Sequence, residues 1–246
     1  VWTLWTIADH YFFQRDQDWL RSVMPHITKA ANWIIEQRKT TMHHSPGGIP
    51  VPEFGLLPPG DLEDNNDWEY WFAVNGYGYR GLARAAEAIA EIDAAVGSRL
   101  RKEAEAYRQD IRTAAFRTMA IAPVVPLRDG TFAPMLPPRT SLHGRDLGWI
   151  RNVLYGAHTL VDCGVFSPDE PVATWTLQDY EDNLFMAPDS LSVPDRDWFS
   201  RGGVALQPNL VNTFISYLER EQLPQAIRAF YNDFAISYYP DVNCFT

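Results

Sequence analysis

The chain is poor in the features that most quickly assign a protein to a class. It has two cysteines, Cys163 and Cys244, too few for a disulfide scaffold and without the CxxC pairing of a metal site. These do not assign a compartment. No apolar run approaches the roughly 18 residues of a membrane-spanning helix. No Lys/Arg cluster stands out, and a net charge of −10 opposes a phosphate-backbone partner. GxSxG, P-loop and GxGxxG motifs are missing, so acyl transfer, phosphoryl transfer and dinucleotide chemistry lack support. His43-His44 has no HExxH spacing and reads as a loop beside Ser45-Pro46-Gly47-Gly48.

What is present centres on residues 49–82. Pro50, Pro52, Pro58 and Pro59 remove backbone donors and fix φ, while Gly55 and Gly60 supply turns. Asp61, Glu63, Asp64, Asp67 and Glu69 then crowd five carboxylates into nine residues, joined by Trp68, Tyr70, Trp71 and Phe72. Acids move protons, and flat rings stack on sugar faces. A cap needs one acid and no tryptophan, so this density points to a site. The alternate oxygens of Asp61, Glu63, Asn65 and Asp67 resemble a calcium loop. Asn66 stands where its turn glycine belongs, however, and Phe72 where its glutamate belongs.

With 246 residues, 46% apolar and 13% aromatic, the chain can bury a large core within single-domain range. Eight helical segments can be read. The first covers 2–13. The second starts at an Asp16 or Asp18 cap and runs to about Lys39, with Leu20, Val23, Ile27, Ala30 and Ile34 at helical spacing and Pro25 as a kink or late start. The third covers 71–96, with Leu82, Ala85, Ile89 and Ile92 on one stripe and Gly97 as its stop. Ser98 caps the fourth, whose apolar positions Leu100, Ala104, Tyr107, Ile111 and Ala114 are spaced 4-3-4-3. Asp129-Gly130 signals a two-residue hairpin. The fifth helix covers 147–163, closed by Gly164. Ser167-Pro168-Asp169-Glu170 starts the sixth. The seventh and eighth cover 208–220 and 223–239, ended by Pro240. Short links inside pairs and long links between them give antiparallel hairpins with their long loops at one end.

Three segments carry a family resemblance: WLRSVMPHITKAANWIIEQR, GLLPPGD and NGYGYRGLARAAEAIAEI. Together they resemble the six-hairpin glycosidases, the (α/α)6-barrel glycoside hydrolases. GGxxLQPNL and AFYNDFAISYYPDVNCFT resemble further hairpins of the same toroid. The resemblance implies an all-α (α/α)6 toroid over residues 1–246, incomplete at both ends, because twelve helices close such a barrel. Val1 in place of a Met, the uncapped VWTLWTIADHYFF and the abrupt stop of Asp241–Thr246 after a helix agree with that expectation. It also implies a second copy or another partner covering the faces of the absent hairpins.

The implied activity is cleavage of a glycosidic bond with inversion, by an acid and a carboxylate roughly 6.5–9.5 Å apart. Asp61 is the expected acid, because the rigid Pro58-Pro59-Gly60 turn aims it and GLLPPGD carries the resemblance. Glu53, between Pro52 and Phe54, is the second candidate. Trp68, Trp71, Asn75 and Tyr79 are expected to form sugar subsites, with Tyr70 beside them. Arg145, Asp146 and Trp149 open the fifth helix, and Arg145 suits either a sugar carboxylate or an ordinary ion pair. Arg201, Gln207 and Asn209 can hydrogen-bond sugar hydroxyls, and the loop acids Asp195 and Asp197 can replace a base beyond Thr246. The expected partner is an oligo- or polysaccharide, with no cofactor, metal, nucleic acid or membrane span. Two other readings stay open. One is a non-catalytic glycan-binding toroid. The other is a polysaccharide lyase or sugar epimerase, for which His143 and Tyr155 are poor bases.

Overall fold

The computed structural model describes residues 2–61, 67–146, 158–185, 213–239 and 241–245. The chain is mostly helical. It divides into two compact units, Val1–Ala115 and Phe116–Thr246.

The first unit contains α1 (Trp2–Gln14), α2 (Gln17–Lys39), α3 (Phe72–Ala90) and the first turns of α4 (Ala94–Ile121). Asp16 caps α2, its carboxylate accepting from Trp19 N at 2.9 Å. Pro25 neither delays nor divides this helix, and it sits on the exposed face. α1 packs against α3, and α2 against both. The buried stripe of α2 is Leu20, Ile27, Ala31, Ile34 and Ile35. Ala30, expected inside, is exposed.

The break between α3 and α4 falls earlier than the sequence pattern places it. Asp93 accepts from Ala95 N and Val96 N at 3.1 and 3.0 Å, so α4 starts at Ala94 and not after Ser98. Gly97 therefore lies inside α4 rather than stopping α3. A Cβ there would lie 2.6 Å from Ala90 Cα, so this glycine permits close helix approach. The 4-3-4-3 stripe of α4 is buried as expected, from Leu100 to Ala114.

The long loop between α2 and α3 is held by a buried cation. Arg38, 1% exposed, donates through Nε to Gly55 O at 2.9 Å, through Nη1 to Glu103 O at 3.3 Å and through Nη2 to Asp110 Oδ2 at 2.6 Å. Its guanidinium lies 4.2 Å from the Tyr107 ring centroid.

In the second unit, β1 (Val124–Pro126) pairs antiparallel with β2 (Phe132–Pro134). The loop is one residue longer than the Asp-Gly signal implies. Gly130 N donates to Leu127 O, Gly130 takes φ +84°, and Leu127 N donates to Thr131 O. This is the three-residue hairpin with a left-handed glycine. Asp129 accepts from Thr131 N and Oγ1, which holds its carboxyl below the usual range.

α5 (His158–Asp162) ends at Gly164, φ +76°, with Val165 N bonded to Leu160 O and Gly164 N to Val161 O. α6 (Pro171–Asp179) starts three residues after the expected proline. Pro171, not Pro168, takes the first turn, while Glu170 Oε1 accepts from Ser167 N at 2.8 Å in the turn before it. α6 passes into a π-helical turn, Tyr180–Phe185. α7 (Thr213–Glu219) packs on α8 (Leu223–Ser237) through Leu177, Tyr217, Ala226 and Ala229. The expected last helical residues instead form β3 (Tyr238–Tyr239), paired with β4 (Cys244–Phe245).

Removing the buried cation leaves Asp110 and two carbonyls without their donor. Arg38→Met is expected to destabilise the first unit by about 3 kcal/mol, the lower end for a broken buried pair because Asp110 is partly exposed. Gly55→Ala adds a Cβ 2.2 Å from Asp110 Oδ2 at φ +73°, whereas Gly130→Ala adds one to open space. Urea unfolding should show the larger loss for Gly55→Ala. Equal midpoints would refute the tight approach of loop and helix.

Candidate functional site

Three consecutive loop residues are pinned by polar side chains. Thr41 Oγ1 donates to Leu56 O at 2.6 Å, Arg38 Nε to Gly55 O, and Leu57 N to Asn75 Oδ1 at 2.8 Å. The Leu-Leu pair is buried beneath. The chain then leaves through Pro58-Pro59 to Gly60, whose N–H and C=O pair with Glu69 at 3.2 Å each. This bridge closes the excursion that begins at Asp61. Asp61 Oδ1 accepts from Asp67 N at 3.3 Å. Glu53 is half-buried and close enough to Tyr70 to act on it. Burial first, and the Glu53 carboxylate second, push the Tyr70 phenol up.

Asp61, Trp68 and Tyr70 thus flank the Gly60–Glu69 bridge in the chain, and Glu53 is linked to them through Tyr70. Trp68 is 72% exposed and offers a free ring face. Trp71 and Asn75 have a different job from the expected one. Trp71 is 1% exposed and donates through Nε1 to Asp67 O at 3.3 Å, so its ring is closed to a ligand. Asn75 is equally buried. Its Oδ1 accepts from Leu57 N and from Tyr107 Oη at 2.7 Å, and its Nδ2 donates to Trp71 O at 2.7 Å. Both acceptor positions of the amide are spent on the scaffold. Tyr79 is half-buried, with Arg108 and Glu105 of α4 and Arg80 and Glu87 of its own helix as charged neighbours.

In the second unit, Arg145 grips Asp179 bidentately, Nη1 to Oδ2 at 3.1 Å and Nη2 to Oδ1. Asp179 Oδ1 also accepts from Asn183 Nδ2 at 2.9 Å. Of the two uses read for Arg145, it adopts the internal ion pair. Asp146 accepts from Arg139 Nε at 3.0 Å. Trp149, Asp195, Asp197, Arg201, Gln207 and Asn209 lie outside the described residues.

A polar cluster that the sequence did not suggest joins α5, the π turn, α7 and α8. His158 is buried with its ring edge-on to Tyr180 at 4.9 Å, and its Nε2 has no partner. Burial pushes it down to about 3. Asp162 keeps some exposed surface, but its carboxyl is densely surrounded. Burial pushes it up to about 8, against a weak Ser216 hydroxyl contact at 3.4 Å and beside Glu219. Glu181 accepts from Tyr217 Oη at 2.5 Å and from Arg228. Only the His158–Asp162 spacing of four was available in sequence, and it lacks a motif. Among the described residues no group of three His, Cys, Asp or Glu side chains is arranged to hold a metal. Among the described residues no helix is long and apolar enough to cross a membrane.

No family model, curated protein or solved structure matches the chain.

The two shifted groups have opposite linkage. Asp162 binds its proton more tightly when folded, so it costs stability as pH rises from 3.8 to about 8. His158 binds its proton more weakly when folded, so it costs stability as pH falls from 6.5 to about 3. The terms offset one another between about 4 and 6.5. Stability is therefore expected to decline from pH 6.5 to 8, and Asp162→Asn to remove that decline in a melting series. The same slope in both proteins would exclude Asp162 as its source.

Proposed function

We propose that the chain is a carbohydrate-active hydrolase, cleaving a glycosidic bond of an oligo- or polysaccharide, and that its helix hairpins belong to an (α/α)6 toroid. The observation that carries the reading is the loop after α2. Buried polar groups hold its middle in place; Asp61 and the exposed Trp68 follow on either side of one backbone bridge, and Glu53, ahead of the pinned residues, lies near Tyr70. A ring with a free face binds a sugar through its C–H groups, and a carboxyl beside it protonates the departing oxygen. Inversion would need a second carboxylate on the opposite side of the anomeric carbon to take a proton from water. Glu53 is the candidate within the same loop.

A second reading, a glycan-binding surface without catalysis, draws on one contact. Asp61 Oδ1 already accepts from Asp67 N, as an acid that merely closes a turn would. The two readings part on turnover.

Asp61→Asn is expected to leave the helical spectrum unchanged and to reduce turnover by roughly 10²–10⁴-fold on alkyl glycosides. Nitrophenyl glycosides should lose much less, because a good leaving group needs little protonation. Unchanged turnover on both substrates would move the acid to Glu53. Glycan binding by the wild type with no turnover on either would favour the binding surface.

A further inference from the structure

The π-helical turn Tyr180–Phe185 follows directly on α6 with a wider backbone ring, an arrangement that is rare and frequent at functional sites. It displays Glu181, Asp182 and Asn183 in succession. Asp182 accepts from Arg128 N through Oδ2 at 2.9 Å, with Arg128 Nε 3.7 Å from Oδ1. Asn183 donates to Pro126 O and to Asp179, itself clasped by Arg145. Glu181 differs. Tyr217 Oη and Arg228 Nη2 both reach Oε1, and among the described residues none donates to Oε2. One oxygen is clamped and the other open.

A carboxylate serving only as an ion-pair partner usually takes an arginine fork with both oxygens. Here Arg228 Nε is buried without a partner, and so is His158 Nε2, whose ring packs against Tyr180 beside Glu181. Native proteins leave few such atoms, and each calls for a missing partner. The cluster's inventory states what that partner is like. At Glu181 a carboxylate acceptor and a guanidinium donor meet, and the neutral imidazole of His158 lies one ring contact away, on Tyr180. An anion would face the charge of Glu181, and a cation that of Arg228. A neutral hydroxyl can donate to the one and accept from the other.

We propose that Glu181 is a ligand-contacting carboxylate whose Oε2 accepts a hydrogen bond from a hydroxyl of a neutral, hydroxyl-rich ligand. Naming that ligand a saccharide rests on the carbohydrate reading above. Tyr217 and Arg228 act as positioning residues that hold the carboxylate through its other oxygen.

The test is calorimetric titration of the whole chain with neutral malto-, cello- and xylo-oligosaccharides. Glu181→Gln should weaken binding of whichever binds by about tenfold or more, since a hydrogen bond to a charged group is lost. Its helical spectrum should not change. Tyr217→Phe, which keeps the carboxylate but removes one of the two donors to Oε1, should cost several-fold. If Glu181→Gln does not fold, this second variant decides the matter, and wild-type affinity in it overturns the proposal. Wild-type affinity in folded Glu181→Gln means that ordered water alone fills the cluster. The proposal then fails while the carbohydrate reading stands. If the wild type binds no saccharide, the carbohydrate reading fails, and carbodiimide labelling judges the site by itself. Faster modification of Glu181 than of Asp179 supports an open carboxylate, and equal protection of the two overturns it.

Discussion

The first unit depends on one buried guanidinium. Taking a charge out of water costs several kcal/mol unless its donors are all met. Arg38 meets that demand by placing each of its three nitrogens on an acceptor from two other parts of the chain: Gly55 O on the loop, and Glu103 O and Asp110 on α4. The Tyr107 ring covers its face, and the Tyr107 hydroxyl passes the network on to Asn75 of α3. Burial raises the Tyr107 phenol far above its ordinary range. It also raises Asp110 despite the cation beside it. Such a network adds little net stability over an apolar core, and its value is registry. A loop shifted by one residue would leave a charge and several carbonyls unmet.

That registry explains how a proline-rich segment holds a chemical group still. Pro50, Pro52, Pro58 and Pro59 cannot donate hydrogen bonds, so the loop cannot anchor itself as a strand would. Its anchors come from outside, at Gly55, Leu56 and Leu57. Small residues on α3 make the approach possible. Gly78 would place a Cβ 3.0 Å from the Tyr107 hydroxyl and 3.3 Å from Leu57. Asp61 follows the bridge glycine, so its direction is inherited from packing two helices deep. Beneath the loop surface the buried Trp71 and Asn75 do structural work.

The polar cluster of the second unit has the opposite character. Every side-chain nitrogen of Arg38 has a partner, whereas the group around Tyr180 leaves His158 Nε2 and Arg228 Nε without one. A saturated network specifies a fold. An unsaturated one keeps capacity for something the chain does not itself supply.

Much of the helical plan was legible because it is written in local periods. The 4-3-4-3 spacing from Leu100 to Ala114 is buried as read, Asp16 caps α2, and Gly164 ends α5. Where the reading slipped, two local signals competed and packing chose between them. Asp93 started α4 before Ser98 could, Pro171 displaced Pro168, and Gly97 served close contact rather than a stop. At the candidate site, residue types were legible and their duties were not. Asp61 and Trp68 lie on either side of the loop's backbone bridge, but Trp71, Asn75 and Arg145 are spent on structure, a difference only their partners reveal. By itself the sequence determined the helical class and the acid-and-ring loop, because these follow from spacing and backbone chemistry over a few residues. Tertiary structure alone decided which polar groups are satisfied and which remain open, because a hydrogen bond between residues 72 apart, as between Arg38 and Asp110, has no local sign.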